Sequence, residues 1–163
     1  MLFNDLYCLD QPGVCTIGIG ASEPQHFKEH LKVLSWLEHS DREAFEGVDR
    51  RLKNIMREIT GFERPDHFWE LLPAWNKTPG NINARMVIWL SNLYRAWDME
   101  NYGMERYAML SRGSAWVPGN NGASAATLDF SETSLPDPLT GDELRQILTD
   151  AHVLLKKKTA SQP

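Results

Sequence analysis

A chain of 163 residues with 42% hydrophobic content and six Trp is long enough to bury a core of ordinary size, and its formal charge of -5 excludes the broad basic face that a nucleic-acid partner requires. The longest strictly apolar run, Met86 to Leu90, falls far short of the ~20 residues that span a bilayer. No basic segment leads into an apolar signal core at the N-terminus, so the chain reads as cytoplasmic, without a membrane partner.

Leu2 to Leu9 is a short apolar helix, closed by the turn residues Asp10-Gln11-Pro12-Gly13. Val14 to Ile19 has the β-branched content of a short buried strand. Gly20-Ala21-Ser22 then leads into a helix over about Glu23 to Glu38, with Ser22 and Gln25 in a capping-box pattern and Pro24 in the first turn, where a missing N–H costs nothing. Cys8 and Cys15 read as small buried apolar residues of a reducing compartment, not as a disulfide framework. The rest of the chain offers no second strand. A single parallel strand cannot satisfy its own backbone, so residues 1–38 read as the last β/α unit of a larger parallel architecture.

A helical domain over residues 39–158 is expected to follow. Ser40 and Glu43 form a second capping box, and Phe45, Val48, Leu52, Ile55 and Ile59 repeat at helical spacing up to a stop at Gly61. An irregular, aromatic-rich connection runs to Gly80, with one helical turn around His67 to Leu71. Asn83 to Trp97 is a helix with Met86, Trp89, Leu90, Leu93 and Trp97 on its inner face, and Asp98 is placed to cap another over Met99 to Leu110. Ser111 to Pro138 lacks periodicity and reads as a long loop. Thr140 and Glu143 open the last helix, whose face is Leu144, Ile147, Leu148, Ala151 and Leu155 and whose negative end suits Lys156 to Lys158. The tail, residues 159–163, is expected to be disordered.

The order of helix, Asp-Gln-Pro-Gly turn, strand, Gly-Ala-Ser and helix in residues 2–34 resembles the final unit of the aldo-keto reductases, α/β barrels that use a nicotinamide cofactor. The string from Asn92 to Leu110, followed by Trp116-Val117-Pro118-Gly119, looks like the helical C-terminal extension of one branch of that family, which in many members resembles a helical ferredoxin and carries iron-sulfur cysteines. No Cys follows Tyr107, so no cluster is expected. The implied fold is mainly α: one terminal β/α barrel unit followed by a degenerate ferredoxin-like helical domain. Trp97 and Trp116 are expected to staple the central helices in place of metal. The family's catalytic Asp, Tyr, Lys and His lie on early barrel strands and match nothing here, so no catalytic residue is assigned.

By the same resemblance, Gly20, Ala21, Ser22 and Gln25 would face the phosphate of NADP, while His26, Glu29 and His30 take positions used for the phosphate and adenine; NADP-binding members often have Arg where His26 stands. A helix N-terminus attracts anions through its unpaired N–H groups, although Ser22 is equally well explained as a simple helix cap. His26-Phe27-Lys28-Glu29-His30 also spells the His-x-x-Glu-His of one zinc protease class, but spacing alone supplies no third ligand, and no metal is assigned. His39, His67 and His152 read as packed or solvated, and Ser114 and Ser124 have no attached base. The aromatic residues read as core, and Arg106 and Arg112 as ion-pair partners of Asp98 and Glu105.

Two functions are therefore carried forward. The chain is either the C-terminal portion of an aldo-keto-reductase-like, NADP-dependent oxidoreductase, inactive without its barrel, or a free-standing helical interaction module without enzymatic activity. In the first case the barrel covers the strand at 14–19; in the second a partner protein does.

Overall fold

The computed structural model describes the backbone of residues 2–39, 42–113 and 117–156 and, within these, the side chains of all but residues 38, 39, 42, 68 and 69. The expectations for Ser40, Ser114, Trp116, Lys157, Lys158 and the tail 159–163 lie outside the described residues. The architecture is mainly helical: α1 (Leu2–Leu9), α2 (Pro24–His39), α3 (Arg42–Thr60), α4 (Phe68–Leu71), α5 (Ala84–Trp97), α6 (Glu100–Tyr107) and α7 (Gly141–Leu155), with short 3-10 turns at Trp75–Lys77, Pro79–Asn81 and Gly122–Thr127. The chain divides into two compact units, Met1–Arg51 and Leu52–Pro163.

In the first unit α1 lies against α2, where Leu6 and Val33 are buried, and a ring contact between Phe3 and Phe45 ties α1 to α3. The expected strand at Val14 to Ile19 is absent: these residues have no regular secondary structure, and both Val14 and Ile19 are exposed. Among the described residues the one β-pairing is an isolated parallel bridge between Ile82 and Asn120. The β-branched content of Val14 to Ile19 measures fitness for a pleated, half-buried surface, and no neighbouring strand provides that surface here. The same correction reaches the cysteines. Cys15 loses its burial with the strand, and Cys8 points away from the Asp5 and Leu6 face of α1, so both thiols are exposed.

Helix α2 begins at Pro24, one residue later than a Ser22 cap demands. The Ser22 hydroxyl instead lies 3.3 Å from His26 Nδ1, and Gln25 donates to Glu23, so the expected capping box does not form. Gly61 does end α3, with φ +78° and its N–H donating to Arg57 O at 2.8 Å. Along α3, however, Met56 is fully buried while Ile55 and Ile59 are exposed. The buried stripe is thus rotated by one position from the one the β-branched residues suggest.

The second unit is built round α5. Its N-cap Asn83 accepts from Met86 N–H at 3.1 Å, and its side-chain amide donates to Pro118 O at 2.7 Å. Met86, Leu90 and Leu93 are buried as expected, but so are Ala84, Val87, Ile88, Ser91, Asn92 and Ala96, leaving Trp89 and Trp97 half-buried at the margins. Asp98 does not cap α6. It takes the left-handed conformation, φ 54° and ψ 32°, and closes α5 by donating its N–H to Leu93 O and Tyr94 O. Asp tolerates that conformation better than most residues, so a motif that resembles a start serves as a stop.

The connection over residues 117–138 is more ordered than its composition implies. Gly122–Thr127 packs along α7, and Val117, Ala125 and Phe130 enter the core formed by α5 and α7. Gly119, at φ +90°, passes so close to Trp75 and Asn81 that a Cβ would lie 3.0 Å from atoms of each. In α7 Leu144, Leu148, Ala151 and Leu155 are buried, and Ile147 is exposed. The capping box at its start is complete: Thr140 N–H donates to Glu143 Oε2 at 2.8 Å and Glu143 N–H donates to Thr140 Oγ1 at 3.3 Å.

Thr140→Ala is expected to cost about 1 kcal/mol of stability, whereas Ser22→Ala, which removes no helix cap, should stay within about 0.5 kcal/mol. Denaturant melts of the two variants check this, and equal losses would contradict the assignment of caps.

Candidate functional site

The residues expected to hold a phosphate gather at the start of α2, but they do not form a cradle. Gly20, Ser22 and Gln25 are exposed, Ala21 and His26 are half-buried, and a Cβ built on Gly20 would meet nothing within 4 Å. Each polar side chain already has a partner within its own unit. Ser22 meets His26, Gln25 meets Glu23, and Glu29 pairs with Lys32 in an exposed ion pair. Two carboxylates, Glu23 and Glu29, take part in these contacts and add negative charge to the set. The residues present do not, by themselves, fit the phosphate end of NADP.

His30 departs furthest from the expected role. Its Nδ1 lies 2.5 Å from Asp5 Oδ2, the two side chains only 11% exposed, so the imidazole faces α1 instead of a ligand. Its Nε2 is buried without a hydrogen-bond partner. The pair ties the ends of a short helical hairpin together, with the carboxylate fixing the ring as it does in carboxylate–histidine pairs generally. The His-x-x-Glu-His reading fails on the same geometry: His26 and His30 engage different partners, and among the described residues no group of three metal-binding side chains comes together.

A second cluster, in the other unit, was not foreseen. Tyr107, 3% exposed, accepts from Gly122 N–H at 2.9 Å, and its hydroxyl lies 2.6 Å from His152 Nδ1. The phenolic oxygen thus joins Gly122 N–H to the His152 imidazole, whose tautomer decides which partner donates in the second bond. Burial pushes the Tyr107 phenol from 10.0 up to about 12, outweighing the opposing Gly122 hydrogen bond. Burial also holds the His152 imidazole below its ordinary 6.5, with the Lys156 charge acting in the same direction. A nucleophile or base would be tuned toward neutrality. This pair is tuned away from it, which marks a structural tie.

A groove of about 550 Å³ opens between the end of α5, α6 and the end of α7, with Tyr94, Glu100, Asn101, Glu105, Val153 and Lys156 on its walls. Burial raises the Tyr94 phenol above its ordinary value, and the Glu100 carboxylate beside it adds to the effect. The walls carry charges of both signs at the surface, without a base paired to a nucleophile. Nearby, the Arg106 guanidinium lies 5.4 Å from the centre of the Tyr102 ring and donates to Met109 Sδ, in place of the carboxylate pairing expected for it. No helix among the described residues is long and apolar enough to cross a membrane.

Both clusters were hard to foresee because their partners are remote in sequence, although Tyr107 and His152 each fall in the buried register of their helices, beside Gly103 and Leu148 respectively. That register is the available signal: a polar residue on an apolar face needs a partner.

Removing one member of the Asp5–His30 pair strands the other, so Asp5→Ala is expected to cost the first unit about 3 kcal/mol, and a joint Asp5→Leu, His30→Leu change much less. Thermal melts of the two variants and the parent check it; equal losses would contradict the pairing. The second unit should lose stability in two pH windows. As pH falls below 6.5 the unfolded chain protonates His152 before the folded one does, and as pH rises from 10.0 toward about 12 the unfolded chain ionises Tyr107 first. Urea midpoints measured across pH on the parent and on Tyr107→Phe check this, since the variant should show a smaller alkaline fall, with Tyr94 still contributing.

The chain matches no protein-family model, no curated protein sequence and no solved structure.

Proposed function

We propose that this chain is the C-terminal portion of an aldo-keto-reductase-like, NADP-dependent oxidoreductase, catalytically silent by itself. The observation that carries the reading is the bare apolar surface of the first unit. Phe27, Leu31 and Leu34 form one stripe along α2, with Leu31 62% and Leu34 57% exposed, turned away from the buried Val33. Val14 and Ile19, in the unpaired segment before α2, are exposed as well. A helix with apolar residues on two faces expects cover on both, and a β-rich segment expects neighbouring strands. A parallel sheet supplies both covers at once. On this reading residues 14–19 become a strand only when that sheet is present, and Gly20, Ala21, Ser22, Gln25, His26, Glu29 and His30 meet a cofactor phosphate only after the sheet repositions them. The helical extension then corresponds to a ferredoxin-like domain without its cluster.

The second unit favours a second reading, a free-standing helical interaction module. Its core, which includes Leu90, Phe130, Leu144, Leu148 and Leu155, is fully buried and needs nothing from elsewhere. The bare stripe of the first unit would then be the surface that engages a protein partner.

An antibody against residues 141–156, used on extracts of the source cells, separates the two. The first reading expects a polypeptide longer than 163 residues, or a tight complex with an α/β barrel protein; a polypeptide of this length free of any barrel would overturn it. The isolated chain is expected to oxidise no NADPH with aldehydes or ketones, because hydride transfer needs a positioned proton donor. Heat-sensitive turnover above a no-enzyme control would contradict that expectation.

A further inference from the structure

The chain holds a single Asn-Gly dipeptide, Asn121–Gly122. In an unrestrained chain this pair is chemically labile. The Gly amide nitrogen, unshielded by a Cβ, attacks the Asn side-chain carbonyl carbon; a C–N bond forms, ammonia leaves carrying the proton, and water then opens the cyclic imide at either carbonyl to leave aspartate or isoaspartate. The attack requires that the nitrogen lose its proton and swing toward the carboxamide.

Three contacts oppose both movements. The Gly122 N–H donates to the buried Tyr107 hydroxyl at 2.9 Å, so the nucleophile's proton and direction are both held. The Asn121 carboxamide oxygen accepts from Ala123 N–H at 3.0 Å as the cap of the Gly122–Thr127 turn, a bond that must break before the electrophile can turn freely. Gly122 itself is wedged against α7, where a Cβ would stand 2.8 Å from Leu148 O. There is no slack for ring closure.

We propose that Asn121–Gly122 is a latent deamidation site of this protein and that the Tyr107 hydroxyl is the lock that keeps it unreacted in the folded state. The co-reactant is solvent water, and no enzyme is required. Once the lock opens, the change is one-way: isoaspartate adds a methylene to the main chain at a point wedged against α7 and places a carboxylate beside the Tyr107–His152 pair. The 3-10 turn should then part from α7. This inference is independent of the oxidoreductase reading.

The test is incubation in a mildly alkaline buffer followed by peptide mapping by mass spectrometry and isoaspartate detection at position 121. Native parent is expected to deamidate at least about tenfold more slowly than the same chain in urea, because reaction must wait for local opening. Tyr107→Phe, which keeps the ring and loses the hydroxyl, should react clearly faster than the native parent while its circular dichroism remains native. His152→Phe, which leaves the Gly122 bond in place, should stay close to the parent. Native parent reacting as fast as unfolded chain, or folded Tyr107→Phe reacting as slowly as parent, would overturn the proposal. If Tyr107→Phe does not fold, hydrogen exchange at Gly122 N–H in the parent decides: exchange as slow as that of the α7 amides supports the lock, and exchange as fast as an open loop overturns it.

Discussion

The second unit depends on one constraint, that α5 is buried over most of its surface, polar Ser91 and Asn92 included, and must be covered on several sides. Val87, Leu90 and Ala84 are completely inaccessible, and Ile88 and Leu93 nearly so. Burying each such side chain is worth about 1.5–3 kcal/mol, so a bare flank would cost a large part of a domain's marginal stability. The neighbours of α5 follow from that demand. Met56 of α3 meets Leu93 and Ala96 on one side, while Leu144, Leu148 and Leu155 of α7 join Leu90 in the main core. Trp97 anchors the first contact by donating its ring N–H to Leu52 O at 3.0 Å. Helix α6 fits into the remaining angle because Gly103 has no side chain; a Cβ there would stand 3.1 Å from Leu155 and 3.5 Å from Leu90 O.

Residues 117–138 complete the cover, and they have to be sewn down because they carry only the short Gly122–Thr127 turn of helix. Asn83 and Asn120 do this with backbone and side-chain bonds, Asn83 to Pro118 O and Asn120 to Gly80 O, around the single Ile82–Asn120 bridge. Tyr107 pins the far end through Gly122 and His152. The first unit has no equivalent of α5. Among its described residues the buried content is Leu6, Val33 and the Asp5–His30 pair, while Phe27, Leu31, Leu34 and Leu37 are exposed. A unit of that kind gains most from a covering surface, which is why its bare stripe carries the functional proposal and the closed core of the second unit does not.

Legibility from sequence follows the range of the interaction concerned. The Thr140–Glu143 capping box and the Gly61 stop lie within a few residues of what they act on, and both form as expected. The faces of α5 and α7 were mostly readable because Leu and Met recur at helical spacing. Strand formation at Val14 to Ile19 was not, since β-propensity depends on a neighbour that local sequence cannot supply. Asp98 was misread because the same side chain suits a helix start and a left-handed stop, and the choice is made by how α5 ends. For the candidate site, the phosphate-facing set was legible only through resemblance. Its actual contacts were set by Asp5, Glu23 and Lys32, whose reach depends on how the hairpin folds.

The central claim is that the second unit has a closed core while the first leaves much of its apolar surface exposed. Native-state hydrogen exchange on the isolated chain tests it most directly, because it reports opening free energy segment by segment. The account predicts amides of α5 and α7 that exchange only through global unfolding, α1 and α2 amides that exchange through a cheaper opening, and residues 14–21 with no protection. Protection of residues 14–21 in the isolated monomer, or α2 amides as slow as those of α5, would contradict it.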